Sequence, residues 1–217
     1  MIRSVRVAVA LALAAGATGC ALQGGRAAAP DIGVVPGSAS LPSPAAGSAA
    51  PARDLVATHS AKLGDLAAAT GRLPVALRVP LLGIDAPVLG VGLAADGQLA
   101  VPDDLRRVGW YGAGAVPGDV GTALIAAHVD HAHRPGVFFR LDRLTPGAVL
   151  QVVHRDGTVS SFTVVARRMV AKPRLPVADL TRASGPSQLV LVTCGGSFDR
   201  GRRSYRDNIL VYAVPTR

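Results

Sequence analysis

Cysteine is almost absent from this sequence. Of 217 residues only two are cysteine, Cys20 and Cys194. Cys20 closes a leader-like stretch, which leaves Cys194 alone and excludes the disulfide-braced scaffold that small exported domains use. Charge is scarce too. Asp, Glu, Lys and Arg together make up 17% of the chain, too little for a disordered polyelectrolyte. Aromatic residues are 4%, and the net charge of +9 comes from scattered arginines that concentrate at Arg200, Arg202, Arg203 and Arg206. A nucleic-acid binder would interleave aromatics with a basic face and carry a recognisable module. Neither is visible, so no nucleic-acid partner is expected. There is no internal repeat and no acidic cluster that argues for calcium.

The first 20 residues bear on compartment. Arg3 and Arg6 form a basic start, Val7 to Ala17 an apolar run too short for a full membrane span, and "ATGC" ends at Cys20. A small residue pair before a cysteine resembles a bacterial lipobox, although alanine (Ala17) stands where leucine is usual. Residues 1–20 are therefore read as an export signal, lipidated at Cys20, cleaved as a signal peptide, or kept as an N-terminal anchor. The bulk of the chain is expected outside the cytoplasm, at the outer face of the cell membrane. Residues 21–72 are rich in Ala, Pro, Gly and Ser, cannot bury a core, and read as a tether. Within them, 54–71 could form a short helix.

From Leu73 the texture changes. Short apolar pieces broken by Pro and Gly run through "PVALRVPLLGIDAPVLGVGL". Asp96-Gly97 and Asp156-Gly157 are hairpin signals between apolar flanks. "TALIAAHVD" contains a buried-strand run, and "SQLVLVTC" and "DNILVYAVP" are two more strands. Many short strands with few helical periods predict an all-β barrel or sandwich over residues 73–217, long enough to fold alone.

Cys194 ends one of those strands. It is a buried filler, half of a bond, or a nucleophile. A free thiol is only a few per cent thiolate at neutral pH, so a nucleophile needs a base or a positive neighbour. Of five histidines, His59 lies in the tether and His154 at a hairpin tip beside Arg155, where a solvated turn residue is expected. The cluster "AAHVDHAH" differs, setting His128, Asp130, His131 and His133 directly after a buried run. Three readings stay open here. His128, Asp130 and His133 could ligate a metal, His128 could be a structural histidine, or His128 could be the acid/base partner of Cys194 with an arginine to hold an oxyanion.

Five segments in order resemble one family. "RVPLLGIDAPVLGVGLAADGQLAVPDD", "VGWYGAGAVPGDVGTALIAAHVDHA", "GVFFRLDRLTPGAVLQVVHRDGTVSSFTV", "LVLVTCGGSFD" and "YRDNILVYA" are similar to the corresponding parts of sortases, most of all the actinobacterial class F. The resemblance runs from Leu73 to Pro215. It implies a closed eight-stranded sortase-type β-barrel with short helices and loops. It implies Cys194 as nucleophile, His128 as the histidine, and Arg206 in "YRDN" as the arginine, ahead of Arg203 and Arg202. Thr193 and Asp130 are implied to help bind substrate.

The activity so implied is transpeptidation. Cys194 attacks the Thr–Gly bond of an LPXTG-like signal at the C-terminus of a secreted protein. A thioacyl-enzyme forms, and an amine on a cell-wall precursor resolves it. No metal or organic cofactor is implied. The chain departs from the family pattern at His131 and His133, where Ser is expected at the first. Rival envelope cysteine enzymes fit worse. NlpC/P60 peptidases put Cys before His, and the Ser-His-Gly-Cys-like cluster of L,D-transpeptidases is missing. The alternative from another class is a non-catalytic envelope-binding lipoprotein whose Cys194 is only core.

Overall fold

The computed structural model describes residues 30–36, 71–94 and 98–217. Pro and Gly punctuate the early strands. Strand β2 (Pro74–Val79) stops at Pro80, and a 3-10 turn over Pro80–Leu82 runs into Gly83 at φ +66, a left-handed value that glycine reaches without a Cβ clash. Strand β3 (Ile84–Val91) then returns antiparallel to β2. Strand β4 (Val108–Tyr111) runs parallel to β3 and antiparallel to β5 (Thr122–Ala126). A small hairpin follows, β6 (Asp130–His131) with β7 (Arg134–Pro135). Strands β8 (Val149–His154) and β9 (Val159–Ala171) form the hairpin expected around Asp156-Gly157, with Gly157 at φ +83. A one-turn helix, Val177–Leu180, leads into β10 (Gln188–Asp199) and its antiparallel partner β11 (Ser204–Pro215).

Around the sheet the order is β9-β11-β10-β5-β4-β3-β2-β8, and a β8–β9 pairing closes the circle. The expected closed eight-stranded barrel is what the chain forms, and closure leaves its eight strands no bare edge. Leu77, Val108, Ile125, Leu150, Phe162, Leu189, Leu191 and Val211 point inward and fill it. A second apolar layer lies outside: Leu124, Val190, Leu210 and Tyr212, covered by Leu180 of the short helix. Strands β5, β10 and β11 are thus buried on both faces. That is why they read as continuous apolar runs rather than alternating ones.

Two expectations need correction. The expected tether, 21–72, contains a strand: β1 (Ile32–Gly33) pairs antiparallel with β9. Arg167 donates to the Pro30 carbonyl at 3.0 Å, Arg168 to Ile32 and Gly33 carbonyls at 2.6 Å, and the Met169 N–H to Asp31 at 2.8 Å. A Cβ at Gly33 would strike the Val165 carbonyl. A Pro/Gly-rich stretch can therefore dock on a strand when its partner supplies the hydrogen bonds. The signal, the tether helix over 54–70, His59 and Asp96-Gly97 lie outside the described residues, as does Cys20. Leu93 and Leu99 nevertheless bridge antiparallel on either side of Asp96-Gly97.

His154 is the second correction. It is 1% exposed, not a solvated turn residue. Its Nδ1–H donates to the Arg72 carbonyl at 2.5 Å, and Nε2 meets Ser160 Oγ at 2.8 Å. The chain just before β2 covers it, with the Arg155 N–H on Leu73 and the Asp156 N–H on Gly71, both at 2.9 Å. Truncating a buried side chain with two hydrogen bonds strands its partners. His154→Ala is expected to cost about 2 kcal/mol and lower Tm by roughly 4–8 °C in a calorimetric scan. A shift under a degree would show that the covering segment contributes nothing.

Candidate active site

Strand β10 lies between β5 and β11, so whatever it carries is flanked by both. It runs parallel to β5, with Leu191 opposite Ile125 and Val192 opposite Ala126. Beyond that last pair the two strands stay fastened. The Ala127 N–H donates to the Val192 carbonyl at 3.2 Å, and Thr193 Oγ1–H donates to the Ala127 carbonyl at 2.8 Å. Cys194 and His128 each follow that Thr193–Ala127 bond by one residue. On the other side β10 is antiparallel to β11, with Cys194 opposite Asn208.

The faces follow from burial. Along β10, Leu189 and Leu191 are in the barrel interior while Val190 and Val192 lie in the outer layer. Along β5, Ile125 and Ala127 point in and Leu124 points out. On β11, Ile209 and Val211 are in, Leu210 and Tyr212 out. The period of two puts Cys194 and Asn208 on the outer side of β10 and β11, and His128 follows the inward-facing Ala127 just beyond β5. Cys194 and His128 are both half-buried, and Cys194 is the free cysteine among the described residues. Both are reachable, as a nucleophile and its acid/base partner must be.

Arg206 precedes Asn208 by two residues and is reached across a bulge. Between the pairs Gly195↔Asp207 and Phe198↔Tyr205, β10 has Gly196 and Ser197 where β11 has only Arg206. Bulges bend a strand and re-aim side chains, and they recur beside active sites. Gly196 sits at φ +72, and a Cβ there would run into the Asp207 carboxylate. This explains the second glycine of "TCGG". In the structure the Arg206 guanidinium pairs with Asp199 at 3.3 Å and is 66% exposed. Arg203 lies in the turn at φ +50, and the Arg202 N–H donates to Asp199 at 3.1 Å.

Thr193 and Asp130 have structural partners. Thr193 is 3% exposed and its hydroxyl is committed to Ala127, so it fixes the register that sets Cys194 beside His128. Thr193→Val keeps the shape and removes that bond. It should cost about 1 kcal/mol of stability and lower turnover several-fold, checked by denaturant unfolding and peptide kinetics. Unchanged turnover would mean that the backbone ladder alone holds the register. Asp130 accepts a hydrogen bond from the Tyr205 hydroxyl at 2.6 Å, and Tyr205 packs edge-on against Phe198 with ring centroids 5.1 Å apart. The pair ties the histidine loop to the start of β11. Tyr205 was missed in the sequence, where its only signal is its place beside Arg206.

His128 has an unusual neighbour. Its ring centroid is 6.3 Å from that of His131. Burial holds His128 below the ordinary histidine value, and His131 adds to the depression. Asp103 and Asp130 oppose it. His133 is exposed in the tip of the β6–β7 hairpin. Among the described residues, no three side chains of His, Cys, Asp or Glu converge on a common point as metal ligands would.

A half-buried thiol, an adjacent imidazole, and an arginine on the next strand form a set suited to acyl transfer through a cysteine. The sequence matches the sortase domain family model over residues 77–216. The chain belongs to the sortase family. Solved structures share its fold. Sortase C1 of group B Streptococcus (GBS) pilus island 1 is 21% identical with a TM-score of 0.52, over 68% of this chain and 65% of that one. Sortase A from Corynebacterium diphtheriae is 20% identical with a TM-score of 0.50, over 67% and 62%. Sortase C-1 from Actinomyces oris is 19% identical with a TM-score of 0.51, over 66% and 75%. This chain thus spans slightly less than two thirds of the first two. Among curated proteins, no relative matches it significantly.

Proposed function

We propose that this protein is a cysteine transpeptidase of the class F type. It would cut LPXTG-like sorting signals between Thr and Gly and pass the acyl group to a cell-wall amine. The observation that supports this reading is the parallel course of β5 and β10, with the Thr193 hydroxyl on the Ala127 carbonyl one residue before Cys194 and His128 respectively. In the mechanism, the Cys194 thiolate attacks the Thr carbonyl carbon. Negative charge develops on the carbonyl oxygen, and Arg206 with backbone N–H groups stabilises it. The C–N bond then breaks, and the His128 imidazolium gives its proton to the departing amine. The thioester is resolved by an incoming amine, whose proton returns to His128 as Cys194 leaves as thiolate.

Arg206 must leave Asp199 to do this. An exposed ion pair is worth about 0–1 kcal/mol, so the exchange is easily driven by an oxyanion. The substrates are secreted proteins with a C-terminal sorting signal, and the acceptor is a precursor amine. The protein acts at the outer face of the cell membrane, held there by its N-terminus. A fluorogenic LPXTG peptide, incubated with the purified protein and a small amine, tests the reading. A Thr-terminated amide product supports it. Cleavage at another bond would revise the specificity, and no cleavage of any sorting peptide would favour the non-catalytic envelope-binding alternative.

A further inference from the structure

We propose that His131, which lies outside the catalytic trio with its ring centroid 6.3 Å from that of His128, is an electrostatic tuning residue for His128 that favours the amine-resolving half of the reaction. The consequence for catalysis rests on the sortase reading above. The effect on His128 does not.

The contact is built into the local fold. His131 lies on β6, and the turn to β7 places Ala132 and His133 at φ +47 and +63. Two consecutive non-glycine residues in the left-handed region make a tight primed turn, adopted at a cost. The returning chain is fastened on both sides of His128. The Gly136 N–H donates to Val129 at 2.9 Å and the Phe138 N–H to the His128 carbonyl at 3.3 Å. A Cβ on Gly136 would collide with that same carbonyl. Asp130, between the two histidines, is fixed by Tyr205. The two rings are therefore held at 6.3 Å rather than meeting by chance.

The surrounding charges set the sign. The charges that act on His128 are Asp103 from the loop before β4 and Asp130 and His131 from its own loop, and β10, which carries Cys194, is the strand beside β5. His131 is exposed and lines a cleft of about 470 Å³ with Asp103, Asp104, Arg106 and Arg134. Asp104 is engaged by Arg106 and Arg107, each at 3.3 Å. The carboxylates of Asp103 and Asp130 favour a charged His128. Burial, the larger cause, and His131 disfavour it. His128 consequently takes up its proton only at lower pH than an ordinary histidine. Acylation consumes the imidazolium, and aminolysis requires the neutral ring. The shift therefore slows the first step and assists the second.

The test compares wild type with His131→Gln, His131→Ser and His131→Lys in the purified protein. The His128 titration is followed by nitrogen-detected imidazole NMR. Both neutral variants are expected to move the His128 midpoint to higher pH. The lysine variant should keep it at or below the wild-type value. On the alkaline side of the midpoint, acylation by a sorting peptide should rise by up to about threefold in the neutral variants. That is the factor one unit charge at about 6 Å imposes through a water-like dielectric. The proposal is overturned if the midpoint stays put in all three, or if Gln, Ser and Lys shift it alike, which would mean a steric effect. Shifted midpoints without any peptide cleavage would retain the electrostatic coupling and remove the sortase reading instead.

Discussion

Replacing Cys194 with alanine will abolish thioacyl formation and leave the fold intact. The loss should be at least about 10³-fold, because a covalent route has no substitute once its nucleophile is gone. The structural cost should be small. Cys194 is half-buried on the outer side of the barrel, beyond the inward-facing Leu189 and Leu191 that fill the core. Removing one sulfur there costs at most about 1 kcal/mol. The rival in which Cys194 is only core predicts the reverse: a measurable fall in stability and no change in any activity. Thermal unfolding and peptide turnover on the same sample separate the two. Serine at 194 should be nearly as inactive as alanine, since an alcohol is a far weaker acid and nucleophile than a thiol.

Arg206→Ala should lower kcat by about 10²–10³ with a smaller change in KM, the size and pattern expected when one donor to a transition-state oxyanion is lost. Arg202→Ala and Arg203→Ala should each change kcat by less than about threefold, as surface substitutions far from the chemistry do. The distinction comes from the strand. Arg206 lies on β11 two residues from Asn208, the residue facing Cys194, whereas Arg202 and Arg203 lie in the turn before it. Its present partner is no obstacle. The Asp199 pair is 3.3 Å long and its guanidinium two-thirds exposed, with a side-chain exposure of 66%. If Arg203→Ala proves the damaging change, the bulge aims the turn rather than the strand at the thiol, and the roles of Arg203 and Arg206 must be exchanged.

The strands were legible because both-sided burial writes itself into the sequence. "TALIA" and "QLVLV" are apolar at every position, and both are strands covered inside and out. Asp156-Gly157 was legible because a left-handed turn needs glycine. From the chemistry of the residues the pairing of Cys194 with His128 was one of three open readings, and the family resemblance favoured it. The pairing depends on a parallel neighbour 66 residues away, the separation of Thr193 and Ala127. His154 was misread because its burial is set by residues 71–73, far off in sequence. Thr193 and Asp130 were expected to help bind substrate, and in the structure their hydroxyl and carboxylate are bound to Ala127 and Tyr205. Composition hid β1 as well, because its docking is specified by Arg167 and Arg168 on the partner strand.

The central claim is that Cys194 becomes acylated by a sorting signal. The most direct measurement is the intact mass of the full protein after brief exposure to an LPXTG peptide without added amine, followed by peptide mapping. The mechanism predicts one adduct with the mass of the peptide's acyl portion through Thr, located on the fragment holding Cys194 and released by a small amine. An unmodified protein, or an adduct that maps elsewhere and persists in Cys194→Ala, would contradict it.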